Sequence, residues 1–264
     1  MGVIKVFISD IDGCLAEPYQ PYDLPAWQTL ATYTEQAERE HHRTAYAVYP
    51  RVSLCSGRAY PYVEAVTQAL NIRMPVLFES GGGMFILPEA KIIWNPYFSP
   101  EIEQDLRKVA DWLVRTCTPG TSLSFDYGKR TQAGIIGPDP LEIQRCVPRV
   151  TQYVAEHYPR LRVFHTSVSI DVLPAQITKV QALHWLAEVT GVALREMAYI
   201  GDTNGDIEAL QSVGLSFAPA NATTSVKAVV DVVTRGTVIE GVLEAYQYVV
   251  RHNQQALSGY ELLS

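Results

Sequence analysis

Four places in this chain carry side chains that can do chemistry: Asp10 with Asp12, Ser56 with Arg58, Lys179, and Asp202 with Asp206. The first follows an apolar run, Lys5-Val6-Phe7-Ile8-Ser9, and continues as Asp10-Ile11-Asp12-Gly13. Val, Ile and Phe with a sharp break predict a buried strand. Side chains alternate along a strand, so residues 10 and 12 project to one side at its carboxyl end. In an open α/β sheet that end is where ligands bind. Two carboxylates held so close repel, and burial worsens the repulsion. Such a pair calls for a cation, a shared proton, or two distinct tasks. Asp and Gly also suit a solvated turn after an edge strand, and the motif alone does not separate the two readings.

The other three places sit in equivalent positions. An apolar stretch near residues 45–55 reads as a second strand and runs into Ser56-Gly57-Arg58, after which Pro61 opens a helix. Val76-Leu77-Phe78 reads as a third strand running into Glu79-Ser80-Gly81-Gly82-Gly83. Helical patterns at 26–43 and from Pro61 separate these strands, which is the βαβ rhythm of a parallel sheet. The rhythm resumes late in the chain. Residues 179–190 form a helical pattern stopped by Gly191, and Met197–Ile200 reads as a strand ending in Gly201-Asp202-Thr203-Asn204-Gly205-Asp206. A further helix at 207–213, a strand at 215–218 and an amphipathic stretch near 238–250 follow.

Between the two βαβ parts the pattern changes. A hairpin is expected at 84–94 around Pro88, a helix at 100–116, strands at 122–127 and 130–136, a helix at 140–157 containing Pro148, and strand-rich sequence at 161–173. The expected fold class is therefore α/β: a Rossmann-like, doubly wound parallel sheet built from residues 1–83 and 174–264. Residues 84–173 form an inserted α+β unit.

The residue types at the four sites fit one task. Carboxylates hold a hard cation such as Mg²⁺, a hydroxyl and a lysine hold phosphate oxygens, and a further carboxylate can attack phosphorus. Plainer roles also exist. Ser56 suits a helix cap, and Lys179 suits a solvated helix start, although a first helical turn disfavours a cation unless an anion is near. Asp202-x-Asn204-x-Asp206 does not complete a calcium loop, because the twelfth position is Val213 and the glycine is misplaced.

Taken together and in this order, the four sites resemble the haloacid dehalogenase superfamily, specifically its phosphatases with a large cap inserted after the second motif. The likeness covers nearly the whole chain. It rests on Asp10-Ile11-Asp12-Gly13, Ser56, Lys179 and Gly201-Asp202 with Asp206. The resemblance implies that Asp10 is the nucleophile and Asp12 the general acid and then base, with Ser56 and Lys179 holding the phosphoryl group. It implies Mg²⁺ as cofactor, held by Asp10, Asp12 (through its backbone carbonyl) and Asp202, with Asp206 behind them. Two positions depart from the pattern: Cys14 replaces the usual threonine, and Gly205 stands where asparagine is common. Both are expected to tune the metal's surroundings.

The segment from Pro75 to Phe85 is similar to the glutamate-asparagine-glycine-glycine stretch of mannosyl-3-phosphoglycerate phosphatases, with Ser80 in place of asparagine. A glycine-rich turn reads the same way. This group also includes sucrose-phosphate and phosphoglycolate phosphatases, so a small phosphorylated sugar or hydroxy acid is the implied substrate. Arg58, Ser80, Gly81, Lys129, Arg130 and His165, with Asp126, are the candidate substrate contacts. Lys129 and Arg130 would pair with a second anionic group, although a turn position favours a solvated Lys129. His41 and His42 read as a solvated helix end, and the tyrosines as packing.

Composition sets outer limits. The 264-residue chain is 47% hydrophobic and 19% charged, ordinary for a globular protein. A net charge of −7 without a Lys/Arg cluster argues against a nucleic-acid partner. No apolar run reaches a membrane span, and Asp10 and Asp12 interrupt the one near the N-terminus before it could complete a signal peptide. The four cysteines form no Cys-x-x-Cys pair, which suits buried thiols in a reduced, cytoplasmic setting. The expected function is Mg²⁺-dependent phosphomonoester hydrolysis through an aspartyl phosphate. The alternatives are a phosphomutase of the same superfamily and a non-catalytic module that holds phosphate ligands. The sequence sets no oligomeric state.

Overall fold

A computed structural model describes residues 2–44 and 47–261. The elements run β1 (Val6–Ser9), α1 (Leu24–His41), β2 (Arg51–Leu54), α2 (Tyr60–Ala69), β3 (Val76–Phe78), β4 (Gly83–Ile86) and β5 (Lys91–Trp94). They continue as α3 (Pro100–Thr116), β6 (Ser124–Phe125), β7 (Ala133–Ile136), α4 (Pro140–His157), β8 (Leu161–His165) and β9 (Ser169–Pro174). The chain closes with α5 (Lys179–Thr190), β10 (Met197–Ile200), α6 (Ile207–Ser212), β11 (Leu215–Ala218), α7 (Thr224–Lys227), β12 (Val232–Val233) and α8 (Val238–Glu261).

The main sheet is parallel, in the order β12-β11-β10-β1-β2. A bridge from Cys55 to Leu77 sets β3 beside β2, also parallel. Strands β1, β10 and β11 are buried along their whole length, as expected where helices cover both faces. The register pairs Ser9 with Ile200 and with Leu54, so the loops after β1, β2 and β10 open at one edge. Helix ends are set locally. Asp23 caps α1, Thr178 caps α5, and Gly191 closes α5 in the left-handed conformation.

The second sheet is antiparallel, in the order β6-β7-β9-β8. One face carries Ala133, Ile135, Ile170 and Val172, which pack with Leu106, Val109 and Leu113 of α3 and Ile143, Val150 and Val154 of α4 in a buried cluster of their own. The larger cluster fills the space around the parallel sheet. Met84 and Phe85 of β4 belong to that larger cluster, because β4 pairs with β3 before the chain departs.

Several elements are shorter than their sequence patterns. The strand expected at 45–55 is only Arg51–Leu54, beginning just after Pro50; residues 45 and 46 lie outside the described residues. The strand expected from residue 130 begins at Ala133, because the Arg130 and Thr131 N–H groups donate to the Glu79 carboxylate (3.1 and 2.6 Å to Oε2) instead of to a strand. His41 is not solvated: its Nε2 is buried without a partner, and burial with the nearby Arg51 lowers its pKa. Among the described residues no helix is long and apolar enough to cross a membrane.

Candidate active site

All four chemical sites meet at the carboxyl edge of the parallel sheet. Asp10 is the first residue past β1 and is 6% exposed. Its Oδ1 accepts from the Ile11 N–H at 2.6 Å, and its Oδ2 accepts from Lys179 Nζ at 2.5 Å. Lys179 is the first residue of α5 and is buried. Its ammonium also donates to Asp206 Oδ1 at 2.6 Å, so one cation bridges two carboxylates from different loops. That settles why a lysine sits in a first helical turn.

Asp206 is fully buried and held on both oxygens. Tyr199 donates its hydroxyl to Oδ1 at 2.6 Å, and the Thr203 N–H and hydroxyl donate to Oδ2 at 3.1 and 3.0 Å. Asp202 is the opposite case: its Oδ1 is buried with no hydrogen-bond partner. Gly13 has φ +72°, and any side chain there would run into the Asp202 carboxylate, which ties the glycine of the first motif to the aspartate of the last.

The electrostatics follow from these partners. Burial pushes the Asp10 carboxyl up to about 6 against the pull of Lys179. Burial, then the charges of Asp10 and Asp206, push Asp202 up to about 8. Burial opposes ionisation of Asp206 too, but Lys179, Tyr199 and Thr203 hold it below the usual carboxylate range. Burial also works against the charge on Lys179, yet Asp10 and Asp206 hold its pKa well above the usual value. Asp10, Asp202 and Asp206 each offer an oxygen within 4.8 Å of the others. The chemistry fits a cation: Lys179 pairs with two of the three acidic groups, and the orphaned Asp202 oxygen is the donor a metal would satisfy.

Asp12 lines the same pocket as Asp10, but its carboxylate is gripped by Arg58, with Nε to Oδ2 at 2.6 Å and Nη2 to Oδ1 at 2.7 Å. The guanidinium lies 5.0 Å from the Tyr19 ring centre and 4.9 Å from that of Tyr62. Burial opposes the Arg58 charge, but Asp12 raises its pKa further. Ser56 is buried beside them. Its Oγ accepts from the Arg58 N–H at 3.3 Å, and it does not cap α2, whose first turn is preceded by Ala59.

The candidate substrate contacts divide. Arg58, Ser80, Asp126 and Lys129 line a cavity of about 110 Å³ together with Asp10, Asp12, Ser56 and Lys179. Lys129 is not solvated: its side chain is 5% exposed and lies 2.6 Å from Asp171 and 3.7 Å from Asp126. Burial opposes its charge, and Asp171 more than restores it. Arg130 is turned away, 4.5 Å from the Trp94 ring centre and 3.7 Å from Glu103. His165 is also outside, because β8 alternates and it is Phe164 and Thr166 that line the cavity. Gly81 packs against Ala182 of α5.

Sequence reading passed over Gln132, Ser169 and Asp171, which line the cavity from the antiparallel sheet. Gly134 stands opposite Asp171, and a side chain there would strike its carboxylate, so a glycine in a strand was the available signal. Gly205 also has a different reason from the expected one: a side chain there would meet the Phe164 ring at 2.9 Å, so this position touches the inserted unit and not the carboxylate cluster.

Residues 125–245 match the family model described as haloacid dehalogenase-like hydrolase. That match takes in a little under half of the chain. The matched span holds Lys179, Asp202 and Asp206; Asp10 and Ser56 lie before it. A phosphoglycolate phosphatase of Natronomonas pharaonis is 25% identical over 89% of this chain and 93% of its own length. One of Methanococcoides burtonii is 23% identical over 93% and 96%. Among solved structures, a Thermoplasma acidophilum protein superposes with a TM-score of 0.74 at 22% identity, covering 94% of this chain and 98% of its own. The Synechocystis sucrose-phosphatase, solved with sucrose and phosphate, superposes with a TM-score of 0.66 at 16% identity over 94% and 98%. These likenesses carry one fold over nearly the whole chain.

Proposed function

We propose that this chain is a Mg²⁺-dependent phosphomonoesterase that acts on a small phosphorylated metabolite through an aspartyl-phosphate intermediate. The observation that carries the reading is the buried Asp10 carboxylate, neutralised by Lys179 and set beside the orphaned oxygen of Asp202. The names of its phosphoglycolate phosphatase and sucrose-phosphatase relatives support the same class.

Asp10 attacks phosphorus in line, and the bond to the leaving oxygen breaks. Asp12, protonated on one oxygen once that oxygen has left Arg58, gives the leaving oxygen its proton. Asp12 then takes a proton from a water, whose oxygen attacks the phosphorus of the aspartyl phosphate and restores the Asp10 carboxylate. Lys179 and the Ser56 hydroxyl hold phosphoryl oxygens. Mg²⁺ would be held by Asp10, Asp202 and the Asp12 carbonyl, with Asp206 supporting from behind, and when bound it offsets charge on the phosphoryl group. Arg58 orients Asp12 by its paired hydrogen bonds. The unit from α3 to β9, which has its own buried cluster, serves as the cap that closes the site against water and contacts the leaving group; the expected boundary at residue 84 is too early, since β4 and β5 stay with the core.

Phosphate release from a generic aryl phosphate tests this. Turnover with Mg²⁺ that stops with chelator and in Asp10→Asn is expected. A folded, metal-loaded protein that releases no phosphate from any ester sinks the reading.

A further inference from the structure

The cavity has two walls, and the one from the cap identifies the group attached to phosphate. Its charges come first. Three basic residues line the cavity, and each already has a carboxylate: Arg58 with Asp12, Lys179 with Asp10, and Lys129 with Asp171. Four carboxylates line it in all, Asp126 being the fourth. A leaving group bearing its own carboxylate would meet, among the described residues that line the cavity, more carboxylates than cations and no cation without a carboxylate partner. With Lys179 given to the phosphoryl group, it would have to compete with Asp12 for Arg58 or with Asp171 for the buried Lys129.

The polar groups say what is welcome. Gln132 lines the cavity, is 4% exposed, and its buried Nε2 has no acceptor. A buried donor left unpaired is costly, and a ligand oxygen that accepts from it removes the cost. Beside it, the Asp171 and Asp126 oxygens accept, and the Lys129 ammonium donates. A ligand group that both donates and accepts satisfies such a mixed wall at each point, and a hydroxyl does so without charge. An ammonium group cannot accept from Gln132 or Lys129. Phe164 and Val168 supply apolar surface for carbon between the hydroxyls. About 110 Å³ admits on the order of ten water-sized positions, enough for phosphate and a short chain.

We infer that the leaving group is a neutral polyhydroxylated carbon chain, a short sugar or polyol, read by Gln132 and the Lys129–Asp171 pair. This rests on the phosphomonoesterase reading above. It selects against a phosphorylated carboxylic acid, the substrate in the names of the phosphoglycolate phosphatase relatives.

The test compares kcat/KM of the full chain with Mg²⁺ on four esters: glycerol 3-phosphate, phosphoglycolate, phosphoethanolamine and a generic aryl phosphate. Glycerol 3-phosphate is expected to exceed phosphoglycolate and phosphoethanolamine by about tenfold or more. Gln132→Leu is expected to lower the ratio of glycerol 3-phosphate to aryl phosphate by about tenfold, through KM. Because it removes an orphaned buried donor, its Tm is expected to hold or rise, so a loss of ratio cannot be assigned to misfolding. Asp171→Asn is expected to lower the same ratio. Preference for phosphoglycolate or phosphoethanolamine, or an unmoved ratio in Gln132→Leu, overturns the inference while aryl phosphate turnover leaves the phosphomonoesterase reading standing. No turnover of any ester overturns both.

Discussion

The two sheets use opposite parts of a strand. In the parallel sheet both faces are buried, and the chemistry stands in the loops just past the ends of β1, β2 and β10. In the antiparallel sheet one face packs on α3 and α4, while the other face itself lines the cavity through Gln132, Phe164, Thr166, Ser169 and Asp171. The first arrangement fixes reacting groups on rigid ends whose positions depend on the whole core. The second spreads contacts over a surface, where residues change partner without moving a strand.

The sharpest way to break this comparison is at Asp10. Asp10→Asn is expected to lower kcat by on the order of 10⁴-fold or more on every ester, as for loss of a nucleophile, while Asp206 still anchors Lys179 and keeps the fold. Steady-state phosphate release with circular dichroism checks both halves; a mutant retaining a tenth of the activity would remove Asp10 from its role. Next in size is the packed face of the antiparallel sheet. Ile170→Ala is expected to cost roughly 2–5 kcal/mol of stability by opening a cavity, whereas Ser169→Ala, one residue away on the other face, is expected to cost less than about 1 kcal/mol. Urea titrations of both decide it, and equal losses would deny that the two faces do different work.

A smaller effect is expected at Arg58. Arg58→Met removes both hydrogen bonds that orient Asp12, and kcat is expected to fall by about ten- to a hundredfold with little change in KM. A change confined to KM would make Arg58 a substrate contact alone. The smallest concerns Gly205. Gly205→Asn presses on Phe164, so KM for a polyol phosphate is expected to rise about threefold while Mg²⁺ affinity, read by calorimetry, stays within about twofold. A large change in Mg²⁺ affinity with KM unmoved would return Gly205 to the metal's surroundings.

The difference between the sheets also explains what was legible in the sequence. End-of-strand chemistry is written locally: an apolar run, a break, then Asp10-x-Asp12-Gly13 or Gly201-Asp202. Its residues were therefore found with their spacing intact, and Lys179 was recognisable because a cation in a first helical turn needs an anion. Contacts on a strand face depend on register, which no short motif records. His165 was chosen where its neighbours Phe164 and Thr166 face the cavity, an error of one residue that the period of two turns into the wrong face. Arg130 was chosen by charge, but Trp94 and Glu103, far away in sequence, hold it elsewhere. Lys129 was expected to be solvated, because nothing near it announces Asp171.

Glu79 stands where the two sheets are joined. Its buried carboxylate receives the N–H groups of Arg130 and Thr131 and the Thr131 hydroxyl, all from the segment that leads into β7. Those two amides lie outside any strand, and the Glu79 carboxylate is their acceptor. Their exchange is expected to report how often Glu79 lets go, which makes them a clock, readable by mass spectrometry, for the parting of the two sheets.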